Sequence, residues 1–191
     1  MKIKIRELEA LIDKKLQKKN ISKKISSIVS EGLVWASSRG IDSHGVRLLT
    51  QYIDEVDRGI LNIRPKVKKN ITANSYTHID ADHTFGHYSG VFAMKETIKL
   101  AKKNGIGCCA VSNSSHCGAM SYFGYKYASK GFISIAMTHA SPRILLQNTN
   151  SVFFGNNPIS FIAPISKNKI FCFDSATTKT TFNEIRKKKI K

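Results

Sequence analysis

The spacing of apolar residues changes part-way along this chain, and that change limits the folds open to it. In "RELEALIDKKL", Leu8, Leu11, Ile12 and Leu16 recur at helical spacing. After the break "KKNI", Ser22 is placed to cap a second helix that carries Ile25, Ile28, Val29 and Leu33 and stops at Gly40. These two helices are expected to pack on each other. "RLLTQYIDEVDRGI" is a third helical pattern, closed by Gly59, and Pro65 then biases its predecessor away from helix, so "IRPKVKKNIT" reads as an extended connector. Beyond it the runs shorten. "YTHIDADHTFGHYSG" has the alternation and turn residues of a hairpin, and Val91, Met94, Ile98 and Ala101 define a helix face that ends at Gly105. "IGCCAV" then reads as a strand, "GAMSYFGYKYASK" as a helix ending near Gly131, and "FISIAMT", "ISFIAP" and "IFCFD" as strands. The expected fold class is α/β: an α-helical N-terminal segment, residues 1–65, followed by a mixed β-sheet region with flanking helices, residues 66–191.

A chain of 191 residues can bury a core without staples, and no apolar stretch approaches the roughly 20 residues of a membrane span. The N-terminus has charges every few residues and no apolar signal core, so a cytoplasmic protein with no membrane partner is expected. Cys108, Cys109, Cys117 and Cys172 lack C-x-x-C spacing, which suits neither zinc nor a disulfide framework, and they read as reduced packing residues. No metal site is expected. The formal net charge of +18 raises a polyanion partner as an alternative. The lysines are scattered through "KKLQKKNISKK", "RPKVKKN" and "RKKKIK", with no aromatics interleaved for base stacking, so no specific nucleic acid is expected.

Four stretches could carry chemistry. In "SNSSHCGAM", His116 stands among small residues beyond the carboxyl end of a predicted strand and before a predicted helix, where α/β proteins place ligands. A helix N-terminus there disfavours imidazolium, so His116 is expected to stay neutral and able to take a proton. "RGIDSHGVR" offers Ser43, His44 and Arg47, and a guanidinium with nearby donors suits a carboxylate; the same stretch also reads as a helix-to-helix turn capped by Asp42 or Ser43. "FGNNPIS" is a turn signal, and "FDSATT" sets an acidic residue at a strand end before small hydroxyl residues. "GIGCCA" fits G-x-G-x-x-A but follows a helix and opens a strand, the reverse of the dinucleotide fingerprint, so it is not read as a Rossmann site.

In this order and spacing, "DSHG", "SSHCGAMSYF", "GNNPIS" and "FDSATT" resemble the malate/L-lactate dehydrogenase family, whose members lack a Rossmann fold, and within it they are most similar to the ureidoglycolate dehydrogenases. The resemblance implies an NAD-dependent oxidoreductase, with NADP as the alternative cofactor. Such an enzyme moves hydride between nicotinamide and C2 of a small 2-hydroxy acid, as in ureidoglycolate to oxalurate; malate or lactate are the alternative substrates. It implies His116 as the acid/base, Ser43, His44 and Arg47 at the substrate, and Ala140, Ser141, Asn157, Asp174, Ser175 and Ala176 at the cofactor. It further implies a homodimer, and a chain cut short or eroded at its C-terminus relative to the family.

Overall fold

A computed structural model describes residues 3–145, 148 and 150–178, and the chain divides into two compact units, Met1–Ala119 and Met120–Lys191. The position 65–66, where a change of organisation is expected, falls inside the first unit, between its third helix and its first strand.

The first unit begins with α1 (Ile5–Gln17) and α2 (Lys23–Ser37), which pack on each other through Ile12, Leu16, Ile25, Val29 and Leu33. Leu11 is the exception to the expected face: it points outward and is 60% exposed. Asp13 is buried between the helices, where it pairs with Lys23 and accepts from Ser26, and those partners hold its carboxyl below the usual range against the opposing effect of burial. Ser22 caps α2, its hydroxyl accepting from the Ile25 N–H. The chain leaves α2 through Gly40, whose φ of +73° places it in the left-handed region that favours glycine.

A third helix, α3 (Leu49–Asp57), follows two short 3₁₀ turns, Asp42–His44 and Val46–Leu48. The expected connector is extended, but its second half is a strand, β1 (Lys68–Ala73), paired antiparallel with β2 (Tyr76–Asp80). The hairpin therefore turns at Asn74 and Ser75, ahead of the stretch expected to contain it. The alternation is real, since Thr77 and Ile79 face inward, but "GHYSG" belongs to the first turns of α4 (Gly86–Asn104). Helix α4 ends at Gly105 in the left-handed conformation and leads into β3 (Cys108–Ser112), which pairs in parallel with β2. The sheet order is β1-β2-β3.

The second unit opens with α5 (Ser121–Ala128). Its main sheet is antiparallel throughout, in the order β4 (Ser134–Met137), β7 (Ile159–Ser166), β8 (Lys169–Ser175). Between β4 and β7 lies a ribbon of β5 (Ile144–Leu145) and β6 (Val152–Phe154), too short to register as strands in the sequence. Helix α5 covers one face of the sheet, bringing Gly124 against Ser134 and Ile162 so closely that a Cβ there would overlap the Ser134 hydroxyl. The opposite face carries Ile135, Met137, Ile159, Phe161, Phe171 and Phe173, all exposed.

Among the described residues no helix is long and apolar enough to cross a membrane. None of the four cysteines forms a disulfide, and Cys108 and Cys172 are exposed, so those two do not pack as expected.

Candidate active site

The small residues around His116 are explained by how closely its loop approaches α4. The Gly86 N–H donates to the Ser115 hydroxyl at 2.9 Å, and the Ser89 and Ser114 hydroxyls lie 2.7 Å apart. A Cβ on Gly86 would sit 2.6 Å from both the Cys117 Cα and the His116 carbonyl oxygen, a separation real structures do not tolerate. Gly118, at φ +73°, then turns the chain over the ring of His87. The loop is thus clamped onto the first turn of α4 by glycines and serine hydroxyls.

The clamp sets His116 against α3. Its Nδ1 lies 2.8 Å from the Tyr52 hydroxyl, and the Gly118 N–H reaches the same nitrogen at 3.4 Å. Tyr52 is 1% exposed, and its ring meets Phe85 and His87 edge-on at 6.0 and 5.8 Å between centroids. His116 itself is exposed, so with Nδ1 turned inward the open edge of its ring carries Nε2. The His44 ring stacks on His116 with centroids 5.5 Å apart and planes 18° from parallel, and the Ser43 hydroxyl lies 2.8 Å from the His44 Nδ1. The structure therefore brings Ser43, His44 and His116 together.

Arg47 behaves differently. It is exposed on the second 3₁₀ turn, and no hydrogen bond or ion pair joins it to the other site residues among those described. Neither Asp42 nor Ser43 caps a helix by its side chain. Gly45 matters for space: its φ of −98° is ordinary, but a Cβ would overlap the Ser37 hydroxyl, which accepts from the Val46 N–H at 3.0 Å.

The electrostatics favour neutral groups. Burial of its inner edge, and then the adjacent His44, push the His116 imidazole down to about 4. His87, completely buried, is pushed down to about 3 by burial first and by His116 and His44 after it. Burial, with Cys117 and Glu55 nearby, raises the Tyr52 phenol well above its ordinary value. The expectation of a neutral His116 thus has a different physical cause from the helix terminus invoked for it. The sequence does not mark Tyr52 or His87 as site residues. His87 has part of the signal that marks His116, since "GHYSG" sets a histidine between glycines and a serine; Tyr52 sits one helical turn beyond buried Leu49, on the inward face of α3.

The residues implied for the cofactor all lie in the second unit, where three loops meet. The Asn157 side chain, at φ +26°, accepts from the Ala140 N–H at 3.0 Å, and Gly155 passes so close to Ala140 that a Cβ would overlap its carbonyl. Thr177 donates through its N–H and its hydroxyl to the Asn156 carbonyl at 2.9 and 3.0 Å, which brings the loop of Ser175 and Ala176 alongside. Ser141 and Ser175 are exposed. Asp174 is engaged internally, accepting from the Ser121 N–H at 2.8 Å and from its hydroxyl at 2.6 Å, and so anchors the start of α5.

Residues 3–191 match the family described as malate/L-lactate dehydrogenase. The chain belongs to this family. It is 37% identical over 172 residues to malate dehydrogenase of Pyrococcus abyssi, which covers 90% of this chain and 47% of the relative. It is 32% identical over 185 residues to the ureidoglycolate dehydrogenase (NAD(+)) of Escherichia coli K12, covering 97% and 53% respectively. Among solved structures it superposes on malate dehydrogenase from Pyrococcus horikoshii OT3 with a TM-score of 0.92 and 33% identity, over 97% of this chain and 53% of that one. Sulfolactate dehydrogenase from Methanocaldococcus jannaschii gives 0.90 at 28% identity, over 98% and 56%. The chain thus spans about half the length of the relatives it matches, and its mixed α/β architecture is theirs.

Proposed function

We propose that this chain supplies the acid/base and the cofactor-contacting loops of an NAD-dependent dehydrogenase acting on the CH–OH group of a small 2-hydroxy carboxylate. The observation that carries the proposal is the His116 ring: neutral, held at Nδ1 by a buried phenol, and open at Nε2. In oxidation Nε2 takes the substrate hydroxyl proton while the C2 hydrogen leaves with its electron pair, and in reduction Nε2 returns that proton to the carbonyl oxygen. His44, stacked on His116 and touching Ser43, gives a second polar group beside the reacting oxygen, and the exposed Arg47 suits the substrate carboxylate.

When bound, nicotinamide supplies the hydride acceptor or donor. The second unit fits such a dinucleotide in chemical kind: the exposed Ser141 and Ser175 hydroxyls flank loops whose backbone Asn157 and Gly155 hold in place. NAD is favoured over NADP by the relative named for NAD(+). Within the substrate class, ureidoglycolate is favoured by the motifs, and malate follows from the similarity to malate dehydrogenases. A cytoplasmic homodimer is part of the same proposal.

The test is calorimetric titration of the 191-residue chain with NAD⁺ and NADH, followed by turnover assays with ureidoglycolate, malate and lactate in turn. Binding of NADH and turnover of one of the three are expected, with His116→Ala lowering turnover by ~10² to 10⁴-fold. Failure to bind either nucleotide, or full turnover in His116→Ala, overturns the proposal.

A further inference from the structure

We propose that Tyr52 is a positioning residue whose hydroxyl turns between two acceptors and so keeps the His116 Nδ1 hydrogen-bonded whichever nitrogen of the ring carries the proton. The inference rests on reading His116 as the acid/base.

The phenol oxygen lies 2.8 Å from the His116 Nδ1 and 3.4 Å from the His116 carbonyl oxygen. Both are acceptors when the ring is a neutral Nε2–H tautomer, and only one is when Nδ1 carries a proton. A hydroxyl can donate and accept, so it satisfies either state. With its proton aimed at Nδ1, the phenol leaves the ring's hydrogen on Nε2, where it can bond a carbonyl oxygen. Once Nε2 has lost its proton to solvent at the exposed edge of the ring and Nδ1 has gained one from solvent, the phenol turns its own proton to the His116 carbonyl, its oxygen accepts Nδ1–H, and the Nε2 lone pair is open for a hydroxyl proton. The second arrangement also fits the imidazolium that forms when that proton is taken: the substrate O–H bond breaks, the Nε2–H bond forms, and Nδ1–H keeps its acceptor.

Two further observations separate this pair from an incidental contact. The Gly118 N–H, which can only donate, also points at Nδ1, at 3.4 Å, and so stabilises the Nε2–H form that bonds a carbonyl oxygen, against which the phenol's ability to accept supports the Nδ1–H form that oxidation uses. Tyr52 is enclosed by Phe85, His87 and the loop itself, and burial keeps its phenol protonated, so it does not compete as an acid in its own right. The other titratable groups that face the pair are His44, stacked on the His116 ring, His87, edge-on to Tyr52, and Cys117 and Glu55, which act on the Tyr52 phenol through their charge.

The experiment is ¹⁵N NMR of the histidine side chains in the 191-residue chain, with His116 assigned by its loss in His116→Gln. The Nδ1 resonance of His116 is expected at the position of a hydrogen-bonded acceptor in the unsubstituted chain and shifted toward that of an unbonded imidazole nitrogen in Tyr52→Phe, which keeps the ring contacts and the longer Gly118 N–H contact. Identical Nδ1 shifts in the two proteins overturn the proposal. A second measurement needs no substitution: a slowly exchanging Tyr52 hydroxyl proton with a through-space correlation to the His116 ring is expected, and its absence overturns the proposal equally. Neither reading needs turnover, so a chain that binds no nucleotide refutes the dehydrogenase proposal while leaving this one to its own result. Where turnover is measurable, Tyr52→Phe is expected to lower kcat about tenfold with little change in KM, the size of one hydrogen bond lost from the acid/base.

Discussion

In the first unit the histidine cluster stands on a packed floor: Leu16, Val29 and Leu33 are fully buried, and Phe85 and Tyr52 continue that core up to the ring of His116. In the second unit the main sheet has one face under α5 and the other bare, with Phe161 36%, Phe171 48% and Phe173 47% exposed. The two units have similar apolar residues and use them differently. A side chain that must hold a proton-transferring ring within hydrogen-bond reach needs neighbours that cannot move, and close-packed interiors provide them. Loops that contact a ligand through backbone and hydroxyl groups depend instead on local hydrogen bonds, such as Asn157 to Ala140.

The contrast can be broken at the core. Leu33→Ala, with no exposure to lose, is expected to cost about 2–5 kcal/mol in urea denaturation, since the cavity left between α1 and α2 cannot fully collapse. A loss below about 1 kcal/mol would mean the floor beneath the histidines is loosely packed. Gly118→Ala tests the clamp itself and is expected to cost about 2–4 kcal/mol, because it adds a left-handed alanine to an overlap with the His87 ring. The same variant should displace the His116 ring signals in NMR.

Acid probes the cluster without substitution. His87 is neutral in the folded protein down to about 3, whereas the unfolded chain takes up that proton near 6.5. Its folded value is the lower one, so the unfolded state binds more protons between those limits and stability falls as pH drops through that window. Between pH 7 and pH 5 the expected loss from this group is about 2 kcal/mol, read as a lower denaturation midpoint at pH 5. Stability that held constant over that range would show that His87 is hydrated or charged in the folded state.

The smallest effect is expected on the bare face. Phe173→Ser should change stability by about 0.5 kcal/mol or less while weakening the binding of an apolar dye. A loss comparable to that of Leu33→Ala would show that the face is covered in solution and would remove the contrast between the units.

Much of this was legible in the order of residues. Helix periodicity, the Ser22 cap and the glycine stops at Gly40 and Gly105 are local features, decided within a few residues of each other, and α1, α2 and α4 follow them. The motifs marked Ser43, His44 and His116 because their residue types and spacing are unusual in one stretch. Pairing partners were not legible: β1 read as a connector because its six residues are all exposed, and only β2 alongside makes it a strand. Nor could the alternation of strands with a helix show that β4, β7 and β8 run antiparallel. Tyr52 lies 64 residues from His116 in the chain, and their contact exists only because glycines at 86 and 118 let one loop settle on α4. By itself the sequence determined which segments are helical, where they stop and which side chains can move a proton. The tertiary structure alone decided which of those side chains meet, and how burial sets their charge, because both depend on packing between residues remote in sequence.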